Sequence, residues 1–254
     1  MPKQAGGEMG RYLYAVIAGS ADRAYGAIGI DGAIAYVISD GEISAVVSNV
    51  PNGKIRPERR NLGAHQAVLR RLIEETTPLP VSFGIIADGP AAIKRILSQN
   101  RQVLCGELER TAGKVEMGLR VTWNVPNIFD YFVYAHPDLR VARDLYVRTL
   151  REPTQQDKIE LGRMFERTLN EDREQYTATV EKILEACCSE IKSNRPRNER
   201  EVMNLACLVA RGPEMEERFE RGVLEAARTF DNNFAFDYNG PWAPHSFVDI
   251  DLEL

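Results

Sequence analysis

The sequence predicts an α+β protein of two domains. Short runs rich in aromatic and β-branched residues, bounded by Gly, Pro, Asn and Asp, read as strands. Between them lie stretches whose apolar residues recur at helical spacing. The third observation is length, since 254 residues exceed a typical single domain of roughly 100–150. A hydrophobic fraction of 44% with 27% charged residues gives each half enough apolar material for its own core.

Residues 1–10 are Gly-rich and polar and are expected to be a disordered tail. RYLYAVIA (11–18) begins the first strand. AIAYVI (33–38) and ISAVVSNV (43–50) form a hairpin across Asp40-Gly41, where glycine tolerates the positive φ of a tight turn. Residues 58–75 place Leu62, His65, Val68, Leu69, Leu72 and Ile73 on one helical stripe, closed by Pro78 and Pro80. VSFGIIA (81–87) reads as a short strand. Asp88-Gly89-Pro90 then opens one helix that frays at Thr111-Ala112-Gly113. The domain boundary is placed there, giving an N-terminal α+β domain at 1–112 and a C-terminal domain at 113–254.

The second half opens with KVEMGLRVTWNV (114–125), alternating like a half-buried strand. A helical pattern at 127–150 breaks at His136-Pro137, because proline disfavours the α conformation of the residue before it. A long amphipathic stretch follows over 155–192, ending with Ile191 on its stripe. VMNLACLVAR (202–211) is a strand, and Pro213 occupies a helix first turn. Phe234, Phe236 and Tyr238 alternate along a last strand before a Gly-Pro-Trp turn. This order predicts a ferredoxin-like (split β-α-β) sheet with inserted extra helices.

The residues offer no catalytic constellation. The sequence contains neither a G-x-S-x-G elbow nor a P-loop, and Gly26, Gly29 and Gly32 lack the close first pair of a dinucleotide fingerprint. His65, His136 and His245 are scattered, so no metal triad is expected. Cys187 and Cys188 are adjacent, the wrong spacing for a C-x-x-C site, and reduced thiols are expected. No catalytic, cofactor or metal residue is assigned. A net charge of −5 and a pI near 5.4 argue against nucleic-acid binding. Without an apolar leader or an 18-residue apolar run, the chain is expected to be soluble, cytoplasmic and off the lipid membrane. A protein-binding role leads on this reading. A ligand-binding or enzymatic protein on a ferredoxin-like scaffold stays open, as does an RNA-binding module.

Several segments, in order, resemble the gas vesicle protein F/L family (GvpF/GvpL). They are LYAV (13–16), SAVVSNVP (44–51), His65 ahead of VLRRL, LPVSFG (79–84), KVEMGLRVTWN (114–124), MNLACLV (203–209) and NGPWAPHSFV (239–248). The 114–120 strand and the terminal G-P-W-x-P segment are the specific parts. ELGRMFE at 160–166 and His245 depart from the family pattern.

The resemblance implies a non-enzymatic, minor structural or accessory protein of gas vesicle formation. Its implied partners are the major shell protein and other gas vesicle accessory proteins, and its location the vesicle, after synthesis in the cytoplasm. The implied fold is two α+β domains, the second a modified ferredoxin fold. A protein that meets strongly apolar shell subunits needs aromatic anchors. Trp123, Trp242 and Phe247 are the first candidates for partner contact, with Phe83 and Arg211 behind them.

Overall fold

The structure, a computed structural model, describes residues 9–148, 154–250, 252 and 253. It divides into two compact units, Met1–Glu116 with Gly240–Leu254, and Met117–Asn239. The C-terminal segment thus belongs with the first unit, whereas the sequence predicts a second domain of 113–254 that includes it. Residues 1–8 of the expected tail, and the end of the 127–150 helical stretch, lie outside the described residues.

The first unit is built on strand β1 (Met9–Ala18), which pairs antiparallel with β4 (Ile43–Pro51). The sheet runs β2 (Ala24–Gly26), β3 (Ala35–Asp40), β4, β1 and β5 (Leu79–Pro80), with β6 (Ile86–Ala87) also paired to β1. The run from Tyr12 to Val16 is fully buried, which explains why it does not alternate. A register shift between Leu13 and Ala15 makes Tyr14 an extra residue in the strand, a β-bulge. The β3–β4 hairpin turns at Gly41, whose φ of +69° suits glycine.

Helices cover both faces of this sheet. Helix α1 (Arg59–Ile73) turns His65, Val68, Leu69 and Leu72 inward, as its stripe predicts. On the other face lie α2 (Gly89–Gln99) and α3 (Arg101–Thr111), packed with Leu13, Val16, Ala45 and Val47. The expected single helix over this stretch is divided at Asn100, whose side chain bonds the Ile96 carbonyl at 2.8 Å. A side chain that competes for the helix's own carbonyl favours a break. The expected strand 81–87 survives only at its C-terminal end, as β6, while β5 precedes it. Gly84, at φ +97°, bends the middle into a loop.

The second unit holds most of a four-stranded sheet in the order β10-β7-β9-β8. Strand β7 (Lys114–Trp123) alternates strictly between buried and half-buried residues. Helices α4 (Ile128–Ala135) and α5 (Pro137–Arg148) separate at Pro137, as proline requires. Helix α6 (Gln155–Leu184) runs about 45 Å and opens on a capping box between Thr154 and Asp157. The helix stops at Leu184. Glu190–Asn194 forms β8, paired antiparallel with β9 (Glu201–Ala210), so Ile191 sits opposite Cys207 and not on a helix. Strand pairing overrides the short helical periodicity there.

Helix α7 (Pro213–Ala227) starts on Pro213, and β10 (Phe234–Trp242) follows. The expected Gly-Pro-Trp turn is the end of this strand.

Candidate interaction surface

The centre of the first unit's α1 face is a polar and aromatic cluster. The Tyr12 hydroxyl accepts the Gly84 N–H at 3.1 Å and is hydrogen-bonded to Nδ1 of His65 at 2.9 Å. The phenol and the imidazole thus share one proton between Oη and Nδ1, and the ring is neutral at pH 7. Burial, with a smaller contribution from His245, pulls the His65 pKa down to about 4. Burial likewise pushes the Tyr12 phenol up to about 12. Phe83 stands edge-on to both rings, 5.9 Å from Tyr12 and 5.8 Å from His65. Beside them the Tyr14 hydroxyl donates to Ser48 at 3.0 Å and accepts the Ile30 N–H at 2.8 Å. The two phenol oxygens thus tie Gly84 and Ile30, in connecting segments, to β1. Phe83 anchors the 81–85 loop and is half-buried.

The five sequence candidates do not gather into one place. Trp123 is 1% exposed, packed on Phe132 at 5.2 Å with the Arg173 guanidinium over its ring. It is a core residue of the second unit. Phe247 is 2% exposed and its carbonyl accepts from Arg110, so it is internal too. Both were singled out for size and aromaticity, which core and surface anchors share. Arg211 is exposed at the end of β9 in the second unit.

Trp242 has the setting of an anchor. It is half-buried, and the Arg70 guanidinium lies 4.9 Å from its ring centroid. Such cation–π pairs hold an aromatic in place with about 0.5–1 kcal/mol at exposed sites. Arg70 belongs to the outer face of α1. There Leu62, 41% exposed, borders a shallow depression with Ile28, Gly63, Gln66 and Ala67. Gly63 and Ala67 keep this face low. Arg71 at its edge pairs with Glu74 and Glu75, each at 2.6 Å. The sequence stripe marks the inner face of α1 except at Leu62, which it includes but which is exposed on the outer face; Arg70 carries no sequence signal of its own.

Two segments of the resemblance meet in the structure. Glu116, in β7, accepts the Ser246 N–H at 2.7 Å and the Ser246 hydroxyl at 2.8 Å. Two residues on, a Cβ at Gly118 would stand 2.9 Å from Oδ1 of Asn239. The 114–120 strand and the terminal segment are therefore two halves of one contact.

The family model described as "Gas vesicle synthesis protein GvpL/GvpF" matches residues 10–249. The chain belongs to the GvpL/GvpF family. Relatives carry both family names. Gas vesicle protein F of Nostoc sp. (strain PCC 7120) is 25% identical over 245 residues, covering 95% of this chain and 98% of its own. Gas vesicle protein L of Streptomyces sp. (strain CB03234) is 25% identical over 248 residues, covering 89% and 87%. The fold is similar to the crystal structure of the gas vesicle protein GvpF from Anabaena sp. PCC7120. The TM-score is 0.83 at 22% identity, over 96% of this chain and 99% of that one. Membership in the GvpL/GvpF family ties the chain to gas vesicle formation.

Proposed function

We propose that this protein is a non-enzymatic accessory component of gas vesicle formation that binds the major shell protein and other gas vesicle proteins at the vesicle. The match of the GvpL/GvpF model to residues 10–249 carries this reading. A second observation supports it: the side chains most suited to chemistry serve the fold. His65 spends Nδ1 on Tyr12, and His136 is paired with Asp172 at 3.1 Å.

The contact surface we propose is the outer face of α1 with Trp242. It offers a half-buried tryptophan held by arginine, next to exposed Leu62, a combination of rigid aromatic and apolar area that suits an apolar partner. Co-purification tests the reading. The tagged protein, expressed with the shell protein, is expected to retain it through a salt wash. Absence of shell protein from the eluate, and of the tagged protein from washed vesicles, overturns it.

A further inference from the structure

The first unit contains a cleft of about 230 Å³ beside the C-terminal segment. One wall is the sheet and helix side, with Val16, Leu79, Ile85 and Leu104. The other is the C-terminal segment, with Val248, Ile250 and Leu252. The wall residues are unevenly buried. Val16 and Leu79 are wholly enclosed, whereas Ile85, Val248, Ile250 and Leu252 pack on the core and remain only half-buried. All four line the cleft. Pro80 and Val81 also line it, and Ser82 and Asp249, both exposed, supply its polar side chains.

A cavity of about 150 Å³ lined by aliphatic and aromatic side chains takes up benzene. The present cleft is larger, opens to solvent, and carries a carboxylate and a hydroxyl beside its aliphatic walls. We propose that it is a binding site for a small amphiphile, with an apolar body of roughly six to eight carbons between the two walls and a hydroxyl or amine head toward Asp249 and Ser82. Three of the nine apolar lining residues lie in the C-terminal segment. Ligand therefore fastens that segment. The segment is otherwise held by Glu116 on Ser246, by Arg110 on the Phe247 carbonyl and by the Asn100 side-chain amide, which accepts from the Glu253 N–H at 3.2 Å and donates to its carbonyl at 3.1 Å.

The test is calorimetric titration of the full chain with 1-alkanols from pentanol to decanol. Affinity is expected to rise about three- to fourfold per methylene while the cleft fills, then level off or fall near eight carbons. Ile250→Trp and Ile85→Trp each fill the void from one wall. Both are half-buried positions, so at least one variant is expected to keep the wild-type melting transition while losing at least tenfold in 1-octanol affinity. Hydrogen exchange of residues 246–250 is expected to slow with 1-octanol in the wild type only. Absence of saturable binding for every alkanol overturns the proposal. So does octanol binding that survives in both folded tryptophan variants, or affinity that climbs through decanol without a break.

Discussion

Glu116 holds Ser246 by two hydrogen bonds, one to the backbone N–H at 2.7 Å and one to the hydroxyl at 2.8 Å. A carboxylate that takes two donors from one residue fixes a backbone and not merely a side chain. Hydrogen bonds to charged groups contribute about 1.5–3 kcal/mol. Glu116→Ala is therefore expected to cost the first unit about 2 kcal/mol. It is also expected to raise amide exchange across residues 243–250, as read by mass spectrometry. Unchanged exchange there would show that the apolar seats alone retain the segment.

His65 makes stability depend on pH. Its folded pKa near 4 lies below the ordinary value of 6.5, so between those values the unfolded chain binds a proton that the folded one refuses. Stability contributed by the neutral imidazole is whole above pH 6.5 and drains away as pH falls toward 4. The full loss is on the order of 3 kcal/mol. Urea midpoints measured from pH 7.5 to 4.5 are expected to fall steeply in the wild type and less so in His65→Asn.

Trp123 is buried, and its Nε1 has no hydrogen-bond partner among the described residues. Trp123→Ala leaves a cavity and is expected to cost about 3–5 kcal/mol in denaturant unfolding. Trp123→Phe keeps an aromatic ring against Phe132 and removes the unpaired donor. It is expected to cost less than half as much. Equal penalties would locate the value of Trp123 in its full indole shape.

Gly118 gives room to Asn239, which would meet an added Cβ at 2.9 Å. Gly118→Ala is expected to destabilise by about 1 kcal/mol, since the neighbour is a side-chain end that can shift. Adding Asn239→Ala is expected to return part of that loss. Strictly additive penalties in the double-mutant cycle would separate the two residues energetically.

Trp242→Ala tests the proposed contact surface. With the ring gone, Arg70 loses its stacking partner while the core is untouched. Retention of shell protein is expected to fall at least tenfold, with the melting temperature within a few degrees of wild type. Full retention by a folded variant excludes this face.

Much of the fold is legible in the sequence because one rule acts locally at each place. Gly41 turns the first hairpin, Pro137 divides α4 from α5, and β7 shows its buried face by alternation. What escapes reading is decided by distant partners. Ile191 fits a helical stripe, but the free edge of β9 draws it into β8. Asn100 splits one apolar stripe into two helices while its amide grips Glu253, 153 positions away. The candidate site is less legible than the fold. Trp123, Trp242 and Phe247 look alike as letters, and only packing tells the half-buried one from the two buried ones. Arg70, which steadies Trp242, is one of many arginines until the chain is folded.

The return of Gly240–Leu254 to the first unit has a consequence for biosynthesis. A ribosome adding about 5–20 residues per second needs roughly 6–25 seconds to make everything between Glu116 and Gly240. Through that interval the nascent first unit lacks Val248, Ile250 and Leu252, and the aliphatic surface they cover stands open to water and to neighbouring chains. The first-begun unit is finished last, so a stalled or prematurely terminated message yields a product whose defect lies near its N-terminus, far from the codon that was lost.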